Sequence, residues 1–145
     1  MSGTEEAAPA RAADHAGYTI KRIDEMEAVY AGAFKRARAE LGVESFGMQV
    51  IDIPAGIDAY PEHDHSHDGQ EEVYLALRGG GEIEIEGERH ALDTDTMVRV
   101  GPGVTRKLWP GGDGLRVLIV GGRPGGAYEP PELSKLGAPD PLERS

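Results

Sequence analysis

Cysteine is absent from all 145 residues. This excludes disulfides, thiolate metal sites and cysteine nucleophiles, and it fits a reducing compartment. Positive charge is scarce: 15 Lys and Arg stand against 26 Asp and Glu, a formal net charge of −11. A chain this acidic repels phosphate backbones and anionic lipid surfaces, so neither nucleic acid nor a membrane is an expected partner. No apolar run approaches the roughly 20 residues that a membrane span needs. Residues Met1–Ala16 lack the basic start and apolar centre of a secretory signal, and the expectation is a soluble, cytoplasmic protein. What the chain does hold is Gly, at 21, and Pro, at 10. Both weaken helix interiors, so a helical bundle is disfavoured and a turn-rich single domain is expected.

Both ends read as tails. Residues 1–17 are Ala-rich and acidic without apolar periodicity, and residues 124–145 hold Pro130, Pro131, Pro139 and Pro141 among charges. Such segments bury too little to offset their ordering entropy, which predicts mobility. The alternative for the C-terminus is a strap in which Tyr128 and Leu133 hold it to the body or to a second subunit. Residues 18–123 then form the domain. Tyr18–Ile23 alternates as a short strand, and Ala33–Leu41 places Phe34, Ala37 and Leu41 at helical spacing before the stop signal Gly42. After Gly42 the pattern is one of strands: Phe46–Ile53, Glu71–Leu77, Glu82–Glu86, Thr96–Val100, Thr105–Trp109 and Leu115–Val120. In Glu82–Glu86 the alternation puts Ile83 and Ile85 inside and the glutamates in water. Gly79-Gly80-Gly81, Gly101-Pro102-Gly103 and Gly111–Gly114 read as turns between them. Many short strands at close spacing predict a barrel or double-sheet jelly roll.

The chemistry concentrates in Tyr60–Glu72, which carries His63, His65 and His67. Spacing of two in a strand would put all three imidazoles on one face and Glu62, Asp64, Ser66 and Asp68 on the other. Three neutral imidazoles are poor core material, since each ring nitrogen needs a partner, but they are good ligands for a divalent ion. Ser66 faces away from its neighbours, which disfavours a Ser-His nucleophile. No glycine tract fits a phosphate-cradling loop.

This segment resembles the first motif of the cupin superfamily, which reads Gly, five residues, His-x-His, three or four residues, Glu, six residues, Gly. Glu72 followed by VYLALR and Gly79 matches the last spacing, and His65-Ser66-His67 with four residues to Glu72 matches the middle. Counted from Gly56, the front favours His63-Asp64-His65 instead. The pair is therefore His63 and His65 or His65 and His67, with His65 common to both, Glu72 as the carboxylate and Glu71 as its fallback. The second motif is followed loosely by Asp95–Pro110, and Arg106 stands where the final histidine ligand of the family would be. A guanidinium cannot donate a lone pair to a metal.

The resemblance implies a mainly β, cupin-like jelly-roll barrel with a short N-terminal helix, a small-molecule ligand inside it, and frequent homodimers. It also implies a divalent transition metal on His63, His65, His67 and Glu72. Nitrogen and oxygen ligands without sulfur suit Mn, Fe, Co, Ni or Zn. Cupins are similar in fold but run dioxygenase, isomerase, cyclase and decarboxylase chemistry, so the reaction does not follow from the resemblance. The expected function is metal-dependent action on, or binding of, a small oxygen-bearing molecule. Arg106 would orient a substrate anion and Tyr74, Met97 and Leu108 would wall out water. The alternative is a non-catalytic ligand-binding barrel without metal. His90, Arg99, Lys107 and Arg116 read as solvated face residues, and Trp109 as core or pocket wall.

Overall fold

The computed structural model describes residues 17–143. His15 and nearly all of the expected tail at residues 1–17 lie outside the described residues. The chain is mainly β. Seven antiparallel strands form one sheet: β1 (Ala28–Val29), β2 (Phe34–Lys35), β3 (Gly47–Ile53), β4 (Glu71–Ile85), β5 (Glu88–Leu92), β6 (Met97–Val100) and β7 (Arg106–Gly122). Their order is β1-β2-β3-β7-β4-β5, with β6 also paired to β4. No helix among the described residues is long and apolar enough to cross a membrane.

The long strands β4 and β7 shape the molecule. They pair from Glu71↔Gly122 at one end to Ile85↔Arg106 at the other. Gly79-Gly80-Gly81 and Gly111–Gly114, expected as turns, lie inside these continuous strands instead. The register slips between Ala76/Arg78 and between Gly79/Gly81, where the two glycine tracts meet. A Cβ on Gly81 would stand 2.0 Å from the Trp109 carbonyl oxygen, and one on Gly79, at φ +72°, would stand 2.2 Å from that of Gly114. Backbone contact, rather than chain reversal, is what demands glycine there.

The kinked pair brings both ends of β4 onto one core. Tyr74, Ala76, Val100, Val117 and Ile119 come from one end, and Ile83, Leu92 and Leu108 from the other. Each is nearly inaccessible, and full burial of a large apolar side chain contributes roughly 1.5–3 kcal/mol. The alternation in β4 is as expected, with Ile83 buried, Ile85 against the core, and Glu82 and Glu84 outside. Trp109 is on the outer side rather than in the core. Its Nε1 donates to Glu84 at 2.8 Å, and its ring carries Arg89 at 4.0 Å and Lys107 at 4.6 Å.

Three local expectations change. Tyr18–Ile23 is not a strand; the segment leads into a 3-10 turn, Ile23–Glu25, with Tyr18 and Ile20 exposed. The helix α1 is shorter than expected, Ala37–Leu41, because Phe34 and Lys35 pair with β1 and β3 instead. Its stop is as expected: Gly42 is left-handed and donates to the carbonyls of Arg38 and Ala39. Residues 124–143, expected as part of a mobile tail, lie along the body. Buried Arg36 donates to the carbonyls of Leu133 (2.7 Å) and Ala138 (2.9 Å), and Asp140 accepts from the Tyr30 N–H. Gly47 makes room for the Tyr128 ring, which a Cβ would meet at 2.8 Å.

On the outer face Arg116 joins the N-terminal segment to the sheet through Asp52 and Asp24. Partial burial raises the Asp52 carboxyl, but hydrogen bonds from Arg116 and Lys35 outweigh it and hold the group below the usual range. The stability it supplies is therefore present above the unfolded carboxylate range and lost as pH falls through the lowered folded value.

Two outcomes follow. Gly81→Ala should cost about 2 kcal/mol or more in urea unfolding, since backbone must move, while Gly112→Ala, with open space around it, should stay within about 0.5 kcal/mol. Asp52→Asn should flatten the acid-side loss of stability in melts recorded from neutral to acid pH; an unchanged slope would remove Asp52 from that role.

Candidate metal centre

The strand expected over Tyr60–Glu72 does not form. His63 makes a single antiparallel bridge to Arg106, with main-chain hydrogen bonds of 3.0 and 2.9 Å. The His65 N–H donates to the Pro102 carbonyl at 2.7 Å. The chain then turns: the N–H groups of Asp68 and Gly69 both donate to the His65 carbonyl, and Gly69 takes φ +73°. Asp64 accepts from the N–H and hydroxyl of Ser66, local bonding that competes with a ladder. The turn swings His67 outward, leaving its side chain 73% exposed.

His63 and His65 instead meet Glu72. Glu72 points inward on β4 because positions 72, 74 and 76 share the core face, and it is buried. Ligand atoms of His63, His65 and Glu72 all lie within 4.8 Å of one another. His65 Nε2 is 3.3 Å from Glu72 Oε1, and the Tyr74 hydroxyl donates to that oxygen at 2.7 Å. Tyr60 packs beside His63, with ring centroids 5.6 Å apart.

Arg106 completes the cluster from β7. It is wholly buried, with Nη1 3.7 Å from Glu72 Oε1, and Nη2 donates to the Gly101 carbonyl at 3.0 Å. Its Nε and Nη1 are buried without a hydrogen-bond partner. An unsatisfied buried donor typically costs about 1–3 kcal/mol, so these two atoms are a reason to expect a ligand.

The electrostatics suit ligation. Burial lowers the His63 pKa and keeps its ring neutral. Its Nδ1 faces the Pro61 carbonyl at 3.1 Å, and a carbonyl only accepts, so Nδ1 carries the proton and Nε2 keeps the lone pair. The hydrogen bond to Glu72 raises the His65 pKa, against desolvation. Burial pushes the Glu72 carboxyl up, but hydrogen bonds from His65 and Tyr74 and the Arg106 charge bring it below its ordinary value. Burial also raises Tyr60 and Tyr74, whose hydroxyls stay protonated.

The remaining candidates are elsewhere. Glu71 is on the opposite face of β4, accepting from Arg99 at 2.8 Å, and is no substitute for Glu72. His67 groups with His65 and Asp68 rather than with His63, His65 and Glu72. Met97 is 69% exposed and walls nothing, whereas Tyr74 and Leu108 are buried. His90 is a surface residue beside Glu88, as expected. Sequence reasoning missed Tyr60 and Asp68. Asp68-Gly69 is a turn signal, and the alternative that takes it as an inserted loop, with His63 and His65 as the pair, is the one that agrees with His67 leaving the shared face.

No protein-family model matches the chain, and no curated protein does. Solved structures do. A cupin protein from Bacteroides fragilis superposes with a TM-score of 0.63 at 20% identity, over 81% of this chain and 93% of that one. A Thermotoga maritima structure described as a "predicted oxalate decarboxylase" gives a TM-score of 0.50 at 18% identity, over 60% of this chain and 74% of that one.

The Tyr74 hydroxyl is the test of this geometry. Tyr74→Phe keeps the ring volume and removes one hydrogen bond to a buried carboxylate, so urea unfolding should show a loss of about 1.5–3 kcal/mol. A change within error would mean that Glu72 does not depend on it.

Proposed function

We propose that this chain, which has the cupin fold, is a divalent-metal-binding barrel that binds or transforms a small oxygen-bearing molecule carrying a carboxylate. The supporting observation is the meeting at ligand spacing of His63 and His65, from the loop before β4, with Glu72 at the start of β4. Two imidazole nitrogens and one carboxylate oxygen suit Mn, Fe, Co, Ni or Zn. These residues fit such an ion: His63 offers a lone pair, Glu72 is ionised, and three protein ligands leave positions open for water or substrate. Arg106 cannot serve as a fourth ligand.

When bound, the ion would supply Lewis-acid polarisation of a ligand oxygen. The chain's own residues do the rest. The unpartnered Nε and Nη1 of Arg106 are donors for a ligand carboxylate beside the three-ligand set. Tyr74 holds Glu72 ionised and oriented, and Tyr60, Tyr74 and Leu108 keep water from the inner side.

A metal-free ligand-binding barrel is the second reading, and one observation favours it. Arg106 already places a fixed positive charge 3.7 Å from the carboxylate that an ion would use. Elemental analysis of tag-free protein reconstituted with each of these metals separates the two. The metal reading expects about one equivalent per chain, lost in His65→Ala. No retained metal under any condition would leave the metal-free barrel, whose anion binding should fall in Arg106→Gln.

A further inference from the structure

The turn that carries His67 outward assembles a second donor set. His65, His67 and Asp68 present ligand atoms that all lie within 4.8 Å of one another. His65 Nδ1 is 3.1 Å from Asp68 Oδ1 and 3.2 Å from Oδ2, and His67 Nε2 is 3.4 Å from Oδ2. The two imidazole rings stack, with centroids 5.7 Å apart and 22° between planes. Asp68 is fixed rather than free: Oδ1 accepts from the Gln70 N–H and Oδ2 from Gln70 Nε2, both at 3.2 Å. His65 is anchored through its main chain to Pro102, and Gly69 closes the turn back to it. Two imidazoles and a carboxylate at the solvent edge have the chemistry of a site for a borderline divalent transition-metal ion such as Zn(II).

His65 belongs to both sets, and its two ring nitrogens face different carboxylates. Nδ1 faces Asp68, and Nε2 faces Glu72 at 3.3 Å. A neutral imidazole has one lone pair and one N–H. An ion on Nε2 leaves Nδ1–H to donate to Asp68, and an ion on Nδ1 leaves Nε2–H to donate to Glu72. Each state satisfies the other carboxylate, and neither leaves a second lone pair.

We infer that His65, His67 and Asp68 form an outer divalent transition-metal site that excludes occupancy of the inner His63, His65 and Glu72 site, because both need the single lone pair of His65. The outer site stands on its own donors; only the exclusion rests on the inner site being a metal site. His67 is largely exposed and Glu72 is buried, so an ion arriving from solvent meets the outer set first; it moves inward as the ring changes tautomer, Nδ1 releasing the ion and taking up a proton from water while Nε2 gives its proton to water and accepts the ion.

The test is Zn(II) binding to the full tag-free chain, by calorimetric titration and by equilibrium dialysis with elemental analysis. It compares wild type with His63→Ala, His67→Ala and the double variant. Wild type and both single variants should each hold one ion, His63→Ala roughly tenfold more weakly, and the double variant should lose at least a further tenfold. With Co(II) in place of Zn(II), the visible absorption of His63→Ala and His67→Ala should differ, since the ligands differ. Zn(II) uptake from a competing chelator should slow several-fold in His67→Ala. Equal affinity in His63→Ala and the double variant would overturn the outer site. Two ions bound at once in wild type would overturn the exclusion. An ion held by His63→Ala but not by His67→Ala would instead overturn the inner reading and leave the outer site standing. If His63→Ala fails to fold by circular dichroism, Glu72→Gln takes its place as the inner-site variant.

Discussion

Two glycine tracts in backbone contact set the form of this molecule. At Gly79–Gly81 and Gly111–Gly114 the strands β4 and β7 come closer than any side chain permits. The register slips just before the contact, between Ala76/Arg78, and within it, between Gly79/Gly81; irregularities of this kind kink a strand pair. Without that kink, the two ends of the sheet would not share a core. The apolar cluster draws on both ends, from Tyr74 and Ile119 to Ile83 and Leu108. Arg106 and Glu72 depend on the same geometry. They sit toward opposite ends of the β4–β7 ladder, yet their side chains approach to 3.7 Å inside the barrel.

A buried ionised cluster is costly, and this one is held by distribution of its charges. Glu72 takes one hydrogen bond from Tyr74, faces His65, and has the Arg106 charge beyond them. Such a group resists removal of any one partner more than it adds to stability, because the orphaned charge stays buried. Arg106 is itself incompletely satisfied, since only Nη2 finds carbonyl acceptors. Proteins rarely leave buried donors unpaired, and where they do, a ligand is a common reason. Among the described residues Arg106 holds two of the three buried side-chain nitrogens without a hydrogen-bond partner, the third being Nε of Arg38, so most of the shortfall in pairing lies at the candidate site.

The outer surface follows different physics. Its charges pair across strands and around one aromatic ring, as with Arg99 and Glu71, or Arg89 and Lys107 on Trp109. Exposed pairs of this kind contribute little each. The Asp52–Arg116–Asp24 group is more consequential because it joins the N-terminal segment to β3 and β7. Arg36 does the same for the C-terminal segment through main-chain carbonyls. The apolar residues of the two segments, Tyr18 and Ile20 in one and Tyr128 and Leu133 in the other, give no sign of the arginines that hold them.

Local chemistry settled much of this protein in advance. Alternation over Glu82–Glu86 marked the faces of that part of β4, Gly42 marked the end of α1, and the His-rich segment followed by Glu72 and Gly79 marked the site and its resemblance to the cupin family. These features depend on neighbours in the chain, and period and spacing record them. Other features depend on what lies across space. Whether Gly79–Gly81 turns the chain or lets two strands touch is decided by Gly111–Gly114, some thirty residues away. Which histidines stand beside Glu72 is decided by the turn at Asp68 and by the carbonyls of Pro102 and Arg106 that capture the main chain. The burial of Arg106 beside Glu72 is decided by the kink. Tertiary structure settled these because each is a contact between segments whose sequences carry no mark of one another.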